Sequence, residues 1–293
     1  MDMDYRITHR TVYEYSEAVT VSHHAARLIP MQSATQRVAL TSISVFPVPA
    51  VRKESRDYFG NAVCSFSIQE IHRRFEVIAR SQVSVNAATA PVPTLSPVWE
   101  KVVASFRDPV SPADVAPYEF CMESPCIRLM PGYADYARAS FPAGTPLLTG
   151  ARDLIRRIHS HFRYDTVATT VATPIEEVWE RRHGVCQDFA HMAIACLRSL
   201  GLPARYVSGY LRTYPAAGKP RLVGADASHA WFSVYCPVNG WVDFDPTNNV
   251  IPSDEHITVA IGRDFSDVSP LSGILTGGGE HEVRVSVDVE PLG

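Results

Sequence analysis

The chain has 293 residues and a formal net charge of −4, a length that favours two domains over one core and a balance that leaves no basic footprint for nucleic acid. Its 46% hydrophobic and 20% charged residues are those of an ordinary globular protein. No stretch approaches the roughly 20 apolar residues of a membrane helix, and Met1-Asp2-Met3-Asp4-Tyr5-Arg6 lacks the basic start and apolar run of a secretory signal peptide.

Residues 1–90 read as an N-terminal β domain. Arg6 to Tyr15, Val19 to Val21, Ala39 to Phe46, Val63 to Ile71 and Phe75 to Val85 are rich in β-branched and aromatic residues. Pro47-Val48-Pro49, Asp57 to Asn61 and Ile71 to Arg74 mark turns between them, as in an antiparallel β-sandwich. Residues 91–131 hold eight prolines and read as a connector, with a short helix near Trp99 to Phe106. From 132 to 262 a second domain is expected. Thr145-Pro146 opens a helix whose face carries Leu147, Leu148, Leu154, Ile155, Ile158 and Phe162, and Thr173-Pro174-Ile175-Glu176-Glu177 opens a shorter one. A third helix follows Cys186 and stops at Gly201-Leu202-Pro203. Ala204 to Leu211, His229 to Tyr235 and Gly240 to Phe244 return to strands. In the tail, 263–293, three glycines at 277–279 precede valines at 283, 285, 287 and 289, whose alternation predicts a half-buried strand joining a sheet.

The chemistry concentrates in three short stretches. Gly184-Val185-Cys186-Gln187-Asp188-Phe189-Ala190-His191 puts a cysteine at a helix start, where unpaired N–H groups and the helix dipole favour an anion. Downstream lie Ser228-His229-Ala230-Trp231 and Asp243-Phe244-Asp245-Pro246-Thr247-Asn248. A thiol, an imidazole and a carboxylate are what a cysteine nucleophile needs: a base for its proton and a group to orient the base. Spacing alone leaves Asp243, Asp245 and Asp226 open as that group. The other cysteines, Cys64, Cys121, Cys126, Cys196 and Cys236, read as small apolar residues. With no repeated CxxC spacing they are expected as free thiols in a reducing cytoplasm. His191 reads as structural or facing the substrate, and Asp188 as a helix-dipole partner. A metal site built from His183, Cys186 and His191, or from Cys186 and His229, is the rival chemistry, but these residues lack the paired spacing of structural zinc.

These three blocks, Gly184-Val185-Cys186, Ala227 to Trp231 and Trp241 to Asn248, resemble the motif blocks of the transglutaminase-like superfamily. Tyr13-Glu14-Tyr15 and Asp57 to Asn61 are similar to the β-rich region that precedes the core in bacterial members. The resemblance implies an α+β protein with a papain-like core, Cys186 as nucleophile, His229 as base and Asp245 as orienting carboxylate. Papain-like enzymes place their oxyanion glutamine before the cysteine, so Gln187 is not given that role, and the backbone N–H of Cys186 is the expected donor.

The superfamily fold hosts transglutaminases, peptidases, amidases and inactive relatives, so fold alone does not choose a reaction. The expectation is a cysteine hydrolase, a peptidase or amidase acting on a peptide or carboxamide, with no cofactor, no metal, no nucleic acid and no membrane partner. A protein-glutamine transglutaminase and a non-catalytic binding module on the same fold are the alternatives.

Overall fold

The computed structural model describes residues 2–86, 90–107, 112–165, 169–214 and 227–292. The N-terminal part is one seven-stranded antiparallel sheet built on β1 (Asp2–Ala26), with β2 (Gln36–Phe46), β3 (Val51–Arg56), β4 (Ala62–Ile68) and β5 (His72–Asn86). The segments Arg6 to Tyr15 and Val19 to Val21 are one 25-residue strand. Along one edge β1 pairs with β5, from Asp2↔Asn86 to Glu14↔Arg74, and then with β4, from Ser22↔Ile68 to Ala26↔Cys64. The register shifts between Glu14 and Val19, where β1 bends. The sheet therefore curls, and Tyr15, Val19, Ile43, Phe66, Ile68, Phe75 and Val77 form a core of their own in the bend.

A run of helices follows: α1 (Trp99–Arg107), α2 (Pro112–Tyr118), α3 (Pro131–Arg138) and α4 (Leu147–His161). Next come β6 (Arg163–Tyr164), α5 (Ile175–Arg181), β7 (His183–Gly184) and α6 (Cys186–Ser199). Helix α6 is the hub. Every residue from Gln187 to Arg198 is buried, because α3, α4 and a four-stranded sheet enclose it. A helix without a wet face must satisfy its polar groups internally. Arg198 does so by donating to the carbonyls of Met122, Ala204 and Arg263, which ties the proline-rich stretch, the sheet and the C-terminal region to the end of the helix.

The sheet against α6 is β8 (Ala204–Leu211), β9 (Ala227–Cys236), β10 (Gly240–Phe244) and β11 (His256–Gly262), ordered β10-β9-β8-β11 and antiparallel throughout. After the short α7 (Phe265–Val268), β12 (Leu271–Gly277) and β13 (His281–Pro291) return to the first sheet. They line the other edge of β1, from Ala26↔Leu271 to Tyr5↔Pro291. Gly277, Gly278 and Gly279 all have positive φ, so this path bends beside the bend in β1. The valine-alternating tail is thus a partner of β1, with Val287 and Val289 buried in the core around α6.

The two sheets meet at β11. Its edge away from β8 would expose backbone groups, and two side-chain amides cover them. Asn61 donates to the Ile261 carbonyl (2.7 Å) and accepts from the Ile261 N–H (2.8 Å). Gln36 donates to the Thr258 carbonyl (2.7 Å) and accepts from the Thr258 N–H (2.8 Å). Each amide thus acts as one residue of a neighbouring strand. His9 completes the contact, its Nδ1 lying 3.0 Å from the Tyr210 hydroxyl. Burial pushes the His9 imidazole down to about 4, so it sits there neutral.

Asn61→Ala leaves both Ile261 backbone groups without partners. It is expected to destabilise the protein by about 1–3 kcal/mol in urea denaturation. A loss below about 0.5 kcal/mol, the scale of a neutral surface change, contradicts this account of the junction.

Candidate active site

Cys186 is the first residue of α6, preceded by Val185 in extended conformation. The first helical bond runs from Phe189 N to the Val185 carbonyl, so the N–H groups of Cys186, Gln187 and Asp188 lie outside the ladder. Asp188 folds back from the first turn, and its Oδ2 accepts from the Val185 N–H (2.8 Å) and the Thr169 hydroxyl (2.6 Å). It is therefore a cap that fixes the approach to Cys186. Gly184 is needed for that cap, because a Cβ there would lie 2.5 Å from Asp188 Oδ2. Burial raises the Asp188 carboxyl, and the Thr169 and Val185 hydrogen bonds oppose that rise.

His229 comes from β9 and Asp245 from the residue after β10. The β9–β10 hairpin pairs Phe232 with Phe244, which carries Asp245 toward the start of β9. Asp245 Oδ2 lies 2.8 Å from His229 Nε2. The Cys186 thiol is near enough to the His229 ring to act on its charge. With Nε2 directed at the carboxylate, Nδ1 is the nitrogen left for the thiol. The three residues are thus linked in the order Cys186–His229–Asp245. Burial disfavours the charged His229, but the hydrogen bond to Asp245 and the effect of the neighbouring Cys186 outweigh it and raise the imidazole to about 10. Burial likewise opposes the Asp245 charge, yet its bonds to His229 and His256 hold the carboxyl far below the usual carboxylate range. The two shifts have one cause, a buried pair that is most stable when ionised.

Asp243 lies on the same face of the hairpin but is used differently. It accepts from Trp231 Nε1 (3.0 Å) and from the Ser233 hydroxyl. Asp226 lies outside the described residues. His191 points into the core, where its Nε2 accepts from the Phe265 N–H (3.2 Å) and its ring packs on Tyr206. Burial lowers it to about 4. Gln187 donates to the Val171 carbonyl at 3.3 Å.

Two partners of Asp245 do not stand out in the sequence. Asn248 Nδ2 donates to Oδ2 (2.7 Å), and His256 Nε2, at the start of β11, lies 3.2 Å from the same oxygen. The backbone N–H groups of Thr247 (2.9 Å) and Asn248 (3.1 Å) donate to Oδ1. The signal for His256 was available, since His256-Ile257-Thr258-Val259-Ala260-Ile261 is a β-branched run after Pro252-Ser253-Asp254. His229, Asp245 and His256 each offer a ligand atom, all within 4.8 Å of one another, and they are the residues among those described that could hold a metal ion. A cation there would take His229 Nε2 and the lone pairs that five donors already engage.

The chain is similar to known proteins over its whole length. The Bacterial transglutaminase-like N-terminal region matches residues 5–84 and the transglutaminase-like superfamily core matches residues 135–246. An uncharacterized protein of Mycobacterium tuberculosis is 41% identical, with 98% of this chain and 93% of that protein covered. A protein-glutamine gamma-glutamyltransferase of Pseudomonas aeruginosa is 29% identical over 37% of this chain and 19% of its own length. Among solved structures, one from Cytophaga hutchinsonii, provisionally named a cysteine protease, superposes with a TM-score of 0.76 at 20% identity, covering 100% of this chain and 92% of that one.

The raised His229 value sets a pH dependence of stability. The pair contributes fully below pH 6.5, the ordinary imidazole value, and that contribution is lost as pH rises through about 10. Wild-type stability should therefore fall between those limits relative to His229→Gln, measured by denaturation at a series of pH values. A difference that stays constant over this range contradicts the ion pair. Taken together, the cysteine, histidine and aspartate blocks, the fold and the matches along the chain place it in the transglutaminase-like superfamily.

Proposed function

We propose that the chain is a cysteine-dependent acyl-transfer enzyme, a peptidase or amidase, with Cys186, His229 and Asp245 as its triad. One observation carries the reading: a single buried imidazole bonds the Asp245 carboxylate and is acted on by the thiol that stands at the start of α6. His229 Nδ1 already holds the proton of Cys186, and Cys186 Sγ attacks the carbonyl carbon of a peptide or carboxamide as the thiolate of that ion pair. The oxyanion is met by the Cys186 backbone N–H, which the helix leaves without a partner. The C–N bond then breaks, His229 protonates the departing amine, and a thioester remains on Cys186. Water attacks this thioester, His229 takes its proton, and the acid is released as the ion pair reforms. Asp245 holds the ring in the orientation both transfers need. All six cysteines are free thiols, which fits the reducing cytoplasm as the compartment.

The similarity to a protein-glutamine gamma-glutamyltransferase over the catalytic stretch supports a second reading, in which an amine resolves the thioester. Hydrolysis and transfer share every step up to the thioester and differ only in the acceptor that reaches it.

A glutamine-containing peptide supplied with a labelled primary amine separates the two readings. Ammonia released in excess of the amine incorporated measures hydrolysis, and that excess should be larger than the incorporation and should need no added metal. Incorporation that outruns hydrolysis favours the transferase. Cys186→Ala should abolish both, and Asp245→Asn should cost less than His229→Ala, since an orienting group is less costly to remove than the base. Asp243→Asn should leave kcat within about threefold, the size of a contact outside the reaction path. A silent Asp245→Asn beside a crippling Asp243→Asn would move the role to Asp243.

A further inference from the structure

Asp245 Oδ2 serves two imidazoles. His229 Nε2, from β9, lies 2.8 Å away and His256 Nε2, from β11, lies 3.2 Å away, although β8 separates those two strands. His256 is buried, and its ring stands edge-on to Trp231, with centroids 5.2 Å apart and planes at 87°. Its Nδ1 is buried without a hydrogen-bond partner among the described residues. An N–H at that nitrogen would be a buried donor with nothing to meet it, whereas an N–H at Nε2 meets a carboxylate. The surroundings thus favour an N–H at Nε2, donating toward Asp245, over one at Nδ1.

We propose that His256 is a positioning residue of the catalytic centre, a fixed N–H donor that holds Asp245 Oδ2 in place and draws charge from it, thereby setting how tightly Asp245 holds the His229 proton. This rests on the triad reading and adds to it a fourth member that never touches the substrate. The His229 and His256 ring centroids are 6.1 Å apart, too far for direct proton exchange. Influence therefore passes through the shared oxygen. The groups that face His229 are Cys186 from α6, Asp245 and Asn248 from the turn after β10, and His256 from β11. Removing His256 withdraws one of five donors and leaves more negative charge on Asp245, so His229 keeps its proton to higher pH.

The test uses the full chain labelled with nitrogen-15. In the wild type at pH 7.5, imidazole shifts should show His256 protonated at Nε2 and bare at Nδ1. In His256→Phe the alkaline titration of His229 should move upward and kcat should fall, on the order of tenfold, at unchanged KM. His256→Gln, whose side-chain amide supplies an N–H in place of the ring's, should restore both. A buried residue with a merely structural role would not move the His229 titration. Two results overturn the proposal: a His256 protonated at Nδ1 in the wild type, which needs no variant to fold, or an unmoved His229 titration in folded His256→Phe. Should the chain prove to have no acyl-transfer activity, the tautomer and the titration still decide the role of His256. An active enzyme with the wrong tautomer sinks this proposal alone.

Discussion

The site depends on one buried charge. The Asp245 carboxylate has no exposed surface, and an isolated carboxylate in that position would take up a proton. It stays ionised because five donors surround it: two backbone N–H groups on Oδ1, and Asn248, His229 and His256 on Oδ2. These come from the turn after β10 and from two strands of the same sheet. The turn itself is closed by paired backbone bonds between Asp245 and Val250. A carboxylate this fully engaged has one orientation, and so does the imidazole bonded to it. The thiol at the head of α6 then faces a ring that is already aligned.

The N-terminal sheet enters the account through β11. Asn61 and Gln36 cover the free edge of that strand and pin Ile261 and Thr258. Two residues before Thr258 stands His256, bonded to Asp245. The path from the first sheet to Asp245 is therefore short: side-chain amide, strand backbone, imidazole, carboxylate. The same sheet is closed by the C-terminal tail, since β12 and β13 cover one whole edge of β1. The two ends of the chain are partners in one sheet, and the catalytic core lies between them in sequence.

Much of this was legible in the residues. Cys186 before an apolar periodic run and ahead of Gly201 read as a helix start, and α6 begins there. The alternating valines at the C-terminus read as a strand, because alternation reports the two faces of a sheet directly. Three things were not legible. The choice among Asp243, Asp245 and Asp226 could not be made from spacing, because residues two apart share a face. Only the Trp231 indole and Ser233 hydroxyl, which occupy Asp243, show that its lone pairs are used elsewhere. Asp188 read as a partner of the helix dipole and is in addition a side-chain cap, which depends on the close approach allowed by Gly184. The strand that starts at His256 is readable, but the contact of His256 with Asp245 is not, because β11 lies two strands from β9 in a sheet whose order no local pattern encodes.

The central claim is that His229 activates Cys186, and the reactivity of the thiols tests it most directly. Burial raises Cys121 and Cys196 to about 12 and Cys126 to about 11, while Cys186 is only half-buried and neighbours an imidazole held in its charged form. Substoichiometric iodoacetamide at pH 7, followed by peptide mapping, should label Cys186 first, and His229→Gln should remove that preference. Earlier labelling of another cysteine, or a Cys186 rate that His229→Gln leaves unchanged, would contradict the account.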